Sequence, residues 1–190
     1  MTSQITRSLT ACTLALAAAA PAFAANDLTG TSVDVSWLFP DMATVYQSRN
    51  VTVGSGPEVV CAGNNAGSDL CQGFVDGASI DVGAQTLSLS IDSGTSEWTP
   101  TAFNGYEFSN LSAGGAWTGY TLATSFAGLD ASRITFTPDA VWVNMQGIAP
   151  VAGQSFTITL LTSAVPEPGN VALLLAGLGA LACTAIRRRA

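Results

Sequence analysis

The stretch TLSLSI at residues 86–91 sets Leu87, Leu89 and Ile91 between Thr86, Ser88 and Ser90. A strict period of two puts the apolar side chains on one face of an extended chain and the hydroxyls on the other. A helix would scatter the same residues around its circumference. FTITL at residues 156–160 repeats the pattern, with Phe156, Ile158 and Leu160 alternating with Thr157 and Thr159. Both read as half-buried strands.

The same period spreads through the chain. Val33, Val35, Trp37 and Phe39 alternate with Asp34 and Ser36, and Ile134 alternates into Phe136. Further strand candidates are 44–53, 57–61, 70–75, 78–83, 103–109, 117–126 and 140–145. Turn chemistry separates them at Gly54-Ser55-Gly56-Pro57, Asn64-Asn65-Ala66-Gly67, Asp92-Ser93-Gly94, Asn104-Gly105 and Ala113-Gly114-Gly115. Between the chain's two ends, no segment carries apolar residues three and four apart over a helical length. About nine to eleven short strands suit two packed antiparallel sheets. The expected fold is all-β: a single β-sandwich, jelly-roll or Greek-key-like, over residues 25–161. Its expected core holds Val35, Trp37, Leu87, Leu89, Ile134, Phe136, Ile158 and Leu160.

The two ends obey another grammar. Arg7 gives a basic start, residues 9–20 are apolar, and Ala22-Phe23-Ala24 forms an A-x-A cleavage site. Residues 1–24 read as a signal peptide for the Sec translocon, with Ala25 as the mature N-terminus. Leu9-Thr10-Ala11-Cys12 has lipobox letters, but a lipobox follows its apolar region and this one precedes most of it.

At the other end stand Val165, Pro166, Glu167 and Pro168, then an uncharged run over 171–186, then Arg187, Arg188 and Arg189. The prolines fix their own φ angles and hold the residues before them out of the helical region. The segment around Glu167 should be extended, as a scissile segment is. The sixteen-residue run falls just short of the roughly 17–25 residues of a spanning helix. Local bilayer thinning would accommodate the difference. The arginines of the tail 187–190 favour the cytoplasmic side and stop transfer. Residues 162–170 are the linker.

This order resembles the PEP-CTERM sorting signal of Gram-negative bacteria. The resemblance implies exosortase as a processing partner and a precursor anchored in the inner membrane. It also implies later residence at the cell surface or in extracellular matrix, with extracellular polysaccharide as a partner. An ordinary single-pass anchor that is never cut is the alternative. The phrases FNGYEFSNL, SRITF and AVWVNMQGI are similar to sandwich ectodomains found ahead of this tag, which bring no activity with them.

Composition removes many chemistries. The chain has no histidine and no lysine. That excludes Ser-His-Asp and Cys-His catalysis and imidazole metal sites. Between Ala25 and residue 164, twelve acids face only Arg49 and Arg133. Such a surface repels nucleic acid and anionic lipid. Cys61 and Cys71 remain after processing and read as a disulfide in an exported chain. Closing so short a loop contributes roughly 2.5–3 kcal/mol by chain entropy. Two free thiols or a metal pair are the rival reading.

Candidate sites are sparse. Trp98, before Thr99-Pro100, and Trp117, after Gly114-Gly115, sit at loop edges and are the candidate ligand platforms. Trp37 reads as core, and the side taken by Trp142 is open. Asn64, Asn65, Asp69, Asp76 and Asp81 offer oxygens for calcium, yet without DxDxDG spacing, and turns want the same residues. Glu58, Glu97 and Glu107 are the glutamates a carboxylate hydrolase would need. The sequence favours an exported, sorted, non-catalytic surface or matrix component with no metal or cofactor. A glycan- or calcium-binding module comes second and a secreted carboxylate hydrolase third.

Overall fold

The alternating stretches are strands in the computed structural model, which describes residues 26–61, 77–93 and 97–163. Among these residues ten strands follow in chain order: β1 (Ser32–Leu38), β2 (Val45–Thr52), β3 (Val59–Cys61), β4 (Ala78–Val82), β5 (Thr86–Ile91), β6 (Gly105–Ser109), β7 (Trp117–Thr124), β8 (Ile134–Phe136), β9 (Ala140–Asn144) and β10 (Ser155–Thr162). Among the described residues, helix is limited to the one-turn 3-10 segments Leu111–Gly114 and Ala131–Arg133. The expected strand at 70–75 lies outside the described residues.

The strands form two antiparallel five-stranded sheets. The first has the order β2-β1-β6-β9-β8 and the second β3-β4-β5-β10-β7. Local hairpins join β1 to β2 and β8 to β9, while β3, β4 and β5 make a meander. The chain changes sheet at the other connections, so each sheet is completed by residues distant in sequence.

Burial follows the two-residue period. Leu87, Leu89 and Ile91 pack with Phe156, Ile158 and Leu160 on the inner face of the second sheet. Val33, Val35, Phe108, Val141 and Val143 supply the first sheet's inner face. Each such side chain gains about 1.5–3 kcal/mol from burial, against about 0.2–1 kcal/mol for a cross-strand surface pair. The core therefore sets the register. A slip of one residue would turn every one of these side chains to water.

Six of the expected core residues are buried: Val35, Leu87, Leu89, Ile134, Ile158 and Leu160. Trp37 and Phe136 are half-buried and pack at the margin. The β1–β2 pairing shifts between Trp37 and Leu38, where β2 carries one extra residue, Tyr46. A bulge bends the strand that carries it, here β2, while β1 keeps its register with β6. Leu38 is buried, and Trp37 and Phe39 meet the exposed ring of Tyr46 edge-on, at 4.9 and 6.1 Å.

Asn104-Gly105 corrects a second expectation. It is not a turn: Gly105 opens β6 opposite Asn144 of β9. A Cβ on Gly105 would collide with the carbonyl oxygen of Val143. Glycine here serves a close approach between two backbones.

Candidate ligand-binding face

Alternation on the first sheet leaves one row of side chains per strand facing outward. Asp34 of β1 lies between Asn50 of β2 and Ser109 of β6, and Ser36 lies between Ser48 and Glu107. Glu107 in turn faces Trp142 of β9, and Trp142 faces Thr135 of β8. The face thus reads, across the strands, as hydroxyl, hydroxyl, carboxylate, indole, hydroxyl, with Ser36 itself buried.

Hydrogen bonds order this surface. Asn50 Nδ2 donates to Asp34 Oδ1 at 2.6 Å, Ser32 Oγ to Asn50 Oδ1 at 2.6 Å, and Ser36 Oγ to Ser48 Oγ at 3.0 Å. Partial burial pushes the Glu107 carboxyl above its ordinary value; a hydrogen bond with Trp142 opposes the rise, and the charge of Asp34 adds to it. Trp142 is half-buried. Its neighbours Val141 and Val143 are buried on the opposite face, so the indole belongs to the outer side.

One end of the face deepens into a pocket of about 320 Å³, lined in part by Met42, Phe103, Arg133, Thr135, Asn144 and Gln146. Thr135 is the cross-strand neighbour of Trp142, and Asn144 follows it two residues along β9. Pocket and indole therefore adjoin. Arg133 Nη1 donates to the carbonyl oxygens of Gln146 at 2.7 Å and Asn144 at 3.3 Å. Asn144 Oδ1 accepts from the backbone N–H groups of Gln146 at 3.1 Å and Asn104 at 3.3 Å.

The expected tryptophan platforms are corrected. Trp98 is 6% exposed and Trp117 2% exposed, so neither ring offers a face to a ligand. Trp98 packs edge-on against Tyr106 and Phe126 and sends its N–H to Tyr106 Oη at 3.3 Å. Trp117 donates to the carbonyl of Leu111 at 2.8 Å. Burying a large ring is favourable once its single donor is satisfied inside.

The glutamates do not converge. Glu58 staples backbone, accepting from Gly54 N at 2.8 Å and Val82 N at 2.7 Å. Glu97 is exposed, and Glu107 alone joins the outer face. Asp81 lies on β4, opposite Ser88; Asn64, Asn65, Asp69 and Asp76 lie outside the described residues. Among the described residues, no group of three or more His, Cys, Asp or Glu side chains could hold a metal ion.

Cys61 is buried at the end of β3, and Cys71 lies outside the described residues. So do the cleavage residues Ala22, Ala24 and Ala25, the motif Val165 to Pro168, the span 171–186, and Arg187 to Arg189. Sequence reasoning missed the Arg133 pocket. For Trp142 the available signal was its place between two valines with Asn144 in phase.

Residues 164–189 match the family model of the PEP-CTERM protein-sorting motif. No curated protein and no solved structure matches the chain.

Proposed function

We propose that this chain, an exported exosortase substrate by its sorting motif, is a non-catalytic component of the cell surface or extracellular matrix. Its β-sandwich holds extracellular polysaccharide against the outer face of the first sheet. The observation that carries this reading is Trp142, half-buried at the middle of a polar face with Glu107 on one side and Thr135 on the other. An indole held by its sheet offers a flat apolar surface to the C–H face of a sugar. The Glu107 carboxylate and the exposed Thr135 hydroxyl beside it supply acceptors and a donor for sugar hydroxyls.

The precursor passes through the Sec translocon and stays in the inner membrane until exosortase acts on Val165 to Pro168. In the oxidising compartment outside, Cys61 bonds to Cys71. Glu107 and Asp34 share one face on a diagonal of adjacent strands. They stand on an open sheet and do not enclose a substrate, which favours binding over hydrolysis.

A glycan array on the processed protein tests the reading. Binding that Trp142→Ala abolishes, with the variant still folded, is the expected result. No binding to any acidic or neutral polysaccharide, or turnover in a glycosidase panel, would overturn it.

A further inference from the structure

We propose that the pocket around Arg133 receives a carboxylate carried by the polysaccharide, so that the ligand is an acidic glycan. This rests on the outer-face reading above and names the ligand class for that face.

Charge is the first argument. Arg133 is one of two cations set against twelve acids between Ala25 and residue 164. An acidic polymer is repelled by nearly all of this surface and is tolerated only where a fixed cation meets it. None of the residues lining the pocket is a carboxylate. Asp130, whose carboxyl is held below its ordinary value by Ser132 and more weakly by Arg133, is already committed. It accepts from Ser132 N at 2.8 Å and Ser132 Oγ at 2.6 Å.

Pre-organisation is the second. The Nη1 group of Arg133 is spent on the Asn144 and Gln146 carbonyls. That fixes the plane of the guanidinium and leaves the donors on Nε and Nη2 without a hydrogen bond among the described residues. A fork of donors in a fixed plane matches a carboxylate bidentately.

Position is the third. Asn144 at the pocket lies two residues along β9 from Trp142, a step of about 7 Å, roughly one sugar ring. Glu107 is on β6 and Arg133 leads into β8, on opposite sides of β9. A uronate ring over Trp142 can therefore send its carboxylate towards Arg133 and its hydroxyls towards Glu107.

The test is calorimetric titration of the full chain in detergent with tetragalacturonate and with its methyl ester, in which every carboxylate is neutralised as –COOCH₃; the salt dependence separates lost charge from added bulk. The acid should bind about tenfold more tightly, as expected for one charge-assisted contact, and salt should erode the difference. Arg133→Gln should abolish the preference. Met42→Glu should do so too; it sets an anion at a rim residue that is 46% exposed and leaves the Arg133 hydrogen bonds in place. Trp142→Ala should weaken both ligands alike.

Equal binding of acid and ester, both dependent on Trp142, would sink the acidic assignment and leave the outer-face reading standing. Failure of both ligands to bind would sink the two together. An acid preference that survives both Arg133→Gln and Met42→Glu would place the carboxylate elsewhere. Free galacturonate or acetate binding as tightly as the tetramer would make the pocket a small-anion site and overturn the glycan assignment.

Discussion

Asn104 Oδ1 accepts the indole N–H of Trp37 at 2.8 Å, although Asn104 is only 2% exposed. Its Nδ2 donates to the Thr99 carbonyl at 3.0 Å, its N–H to Asn144 Oδ1 at 3.3 Å, and its carbonyl accepts from Met145 N at 2.9 Å. One buried amide thus joins β1, the loop before β6, and the end of β9 that lines the pocket. Asn104→Ala leaves Trp37 Nε1 and the Thr99 carbonyl without these partners. The expected loss is about 2–4 kcal/mol in urea unfolding. A loss within about 0.5 kcal/mol, as for an ordinary surface site, would show that the amide holds nothing together.

Glu107 gives a pH dependence of known sign. Its carboxyl is raised by partial burial first, against a hydrogen bond with Trp142, and then by Asp34. The folded state therefore holds this proton more tightly than the unfolded chain does. Stability from this group is present below the unfolded value and is lost as pH rises through the folded one. NMR titration should place the Glu107 midpoint above that of an ordinary glutamate. Trp142→Phe should raise it further and Asp34→Asn should lower it. Glu107→Gln should remove this contribution from the stability profile.

The two kinds of tryptophan should separate cleanly. Trp98→Ala empties a buried site beside Tyr106 and Phe126 and should cost about 3–5 kcal/mol. Trp142→Ala clears a half-exposed outer position and should cost about 1 kcal/mol or less. Equal costs in chemical denaturation would mean that Trp142 also belongs to the core, and that its substitution cannot report on ligand binding.

Processing is read by intact mass. Protein recovered from its native host should begin at Ala25 and lack Arg187 to Arg189. Retention of those arginines would favour the uncut anchor. The same sample, denatured without reductant, should show no thiol reactive to alkylation at Cys61 or Cys71; two labelled thiols would exclude the bridge.

Leu87 and Ile158 were legible because hydroxyl residues flank them on both sides, which fixes the phase of the strand. Trp142 stayed open, because Val141, Trp142 and Val143 are all apolar and only Asn144, at one end, marks the phase. The extra residue Tyr46 in β2 left no trace in composition, and the Trp37 ring assigned to the core stands at its margin against Tyr46. Trp98 and Trp117 were misplaced because a strand end does not encode burial; that depends on partners such as Tyr106 and Leu111 supplied by the fold. The pocket was hidden for a topological reason. Met42, Arg133 and Asn144 come from the loop after β1, the entry to β8 and the end of β9. Only the order β1-β6-β9-β8 puts them together.

The placement of β10 has a mechanical consequence. It is the last strand before the sorting motif, and it runs inside the second sheet, paired with β5 on one flank and β7 on the other. Tension applied through the C-terminal motif acts along β10, so both ladders are sheared together and neither is unzipped bond by bond. A strand at the rim would peel away under far less force. The fold meets a pull on its C-terminal side with a strand clamped on both sides.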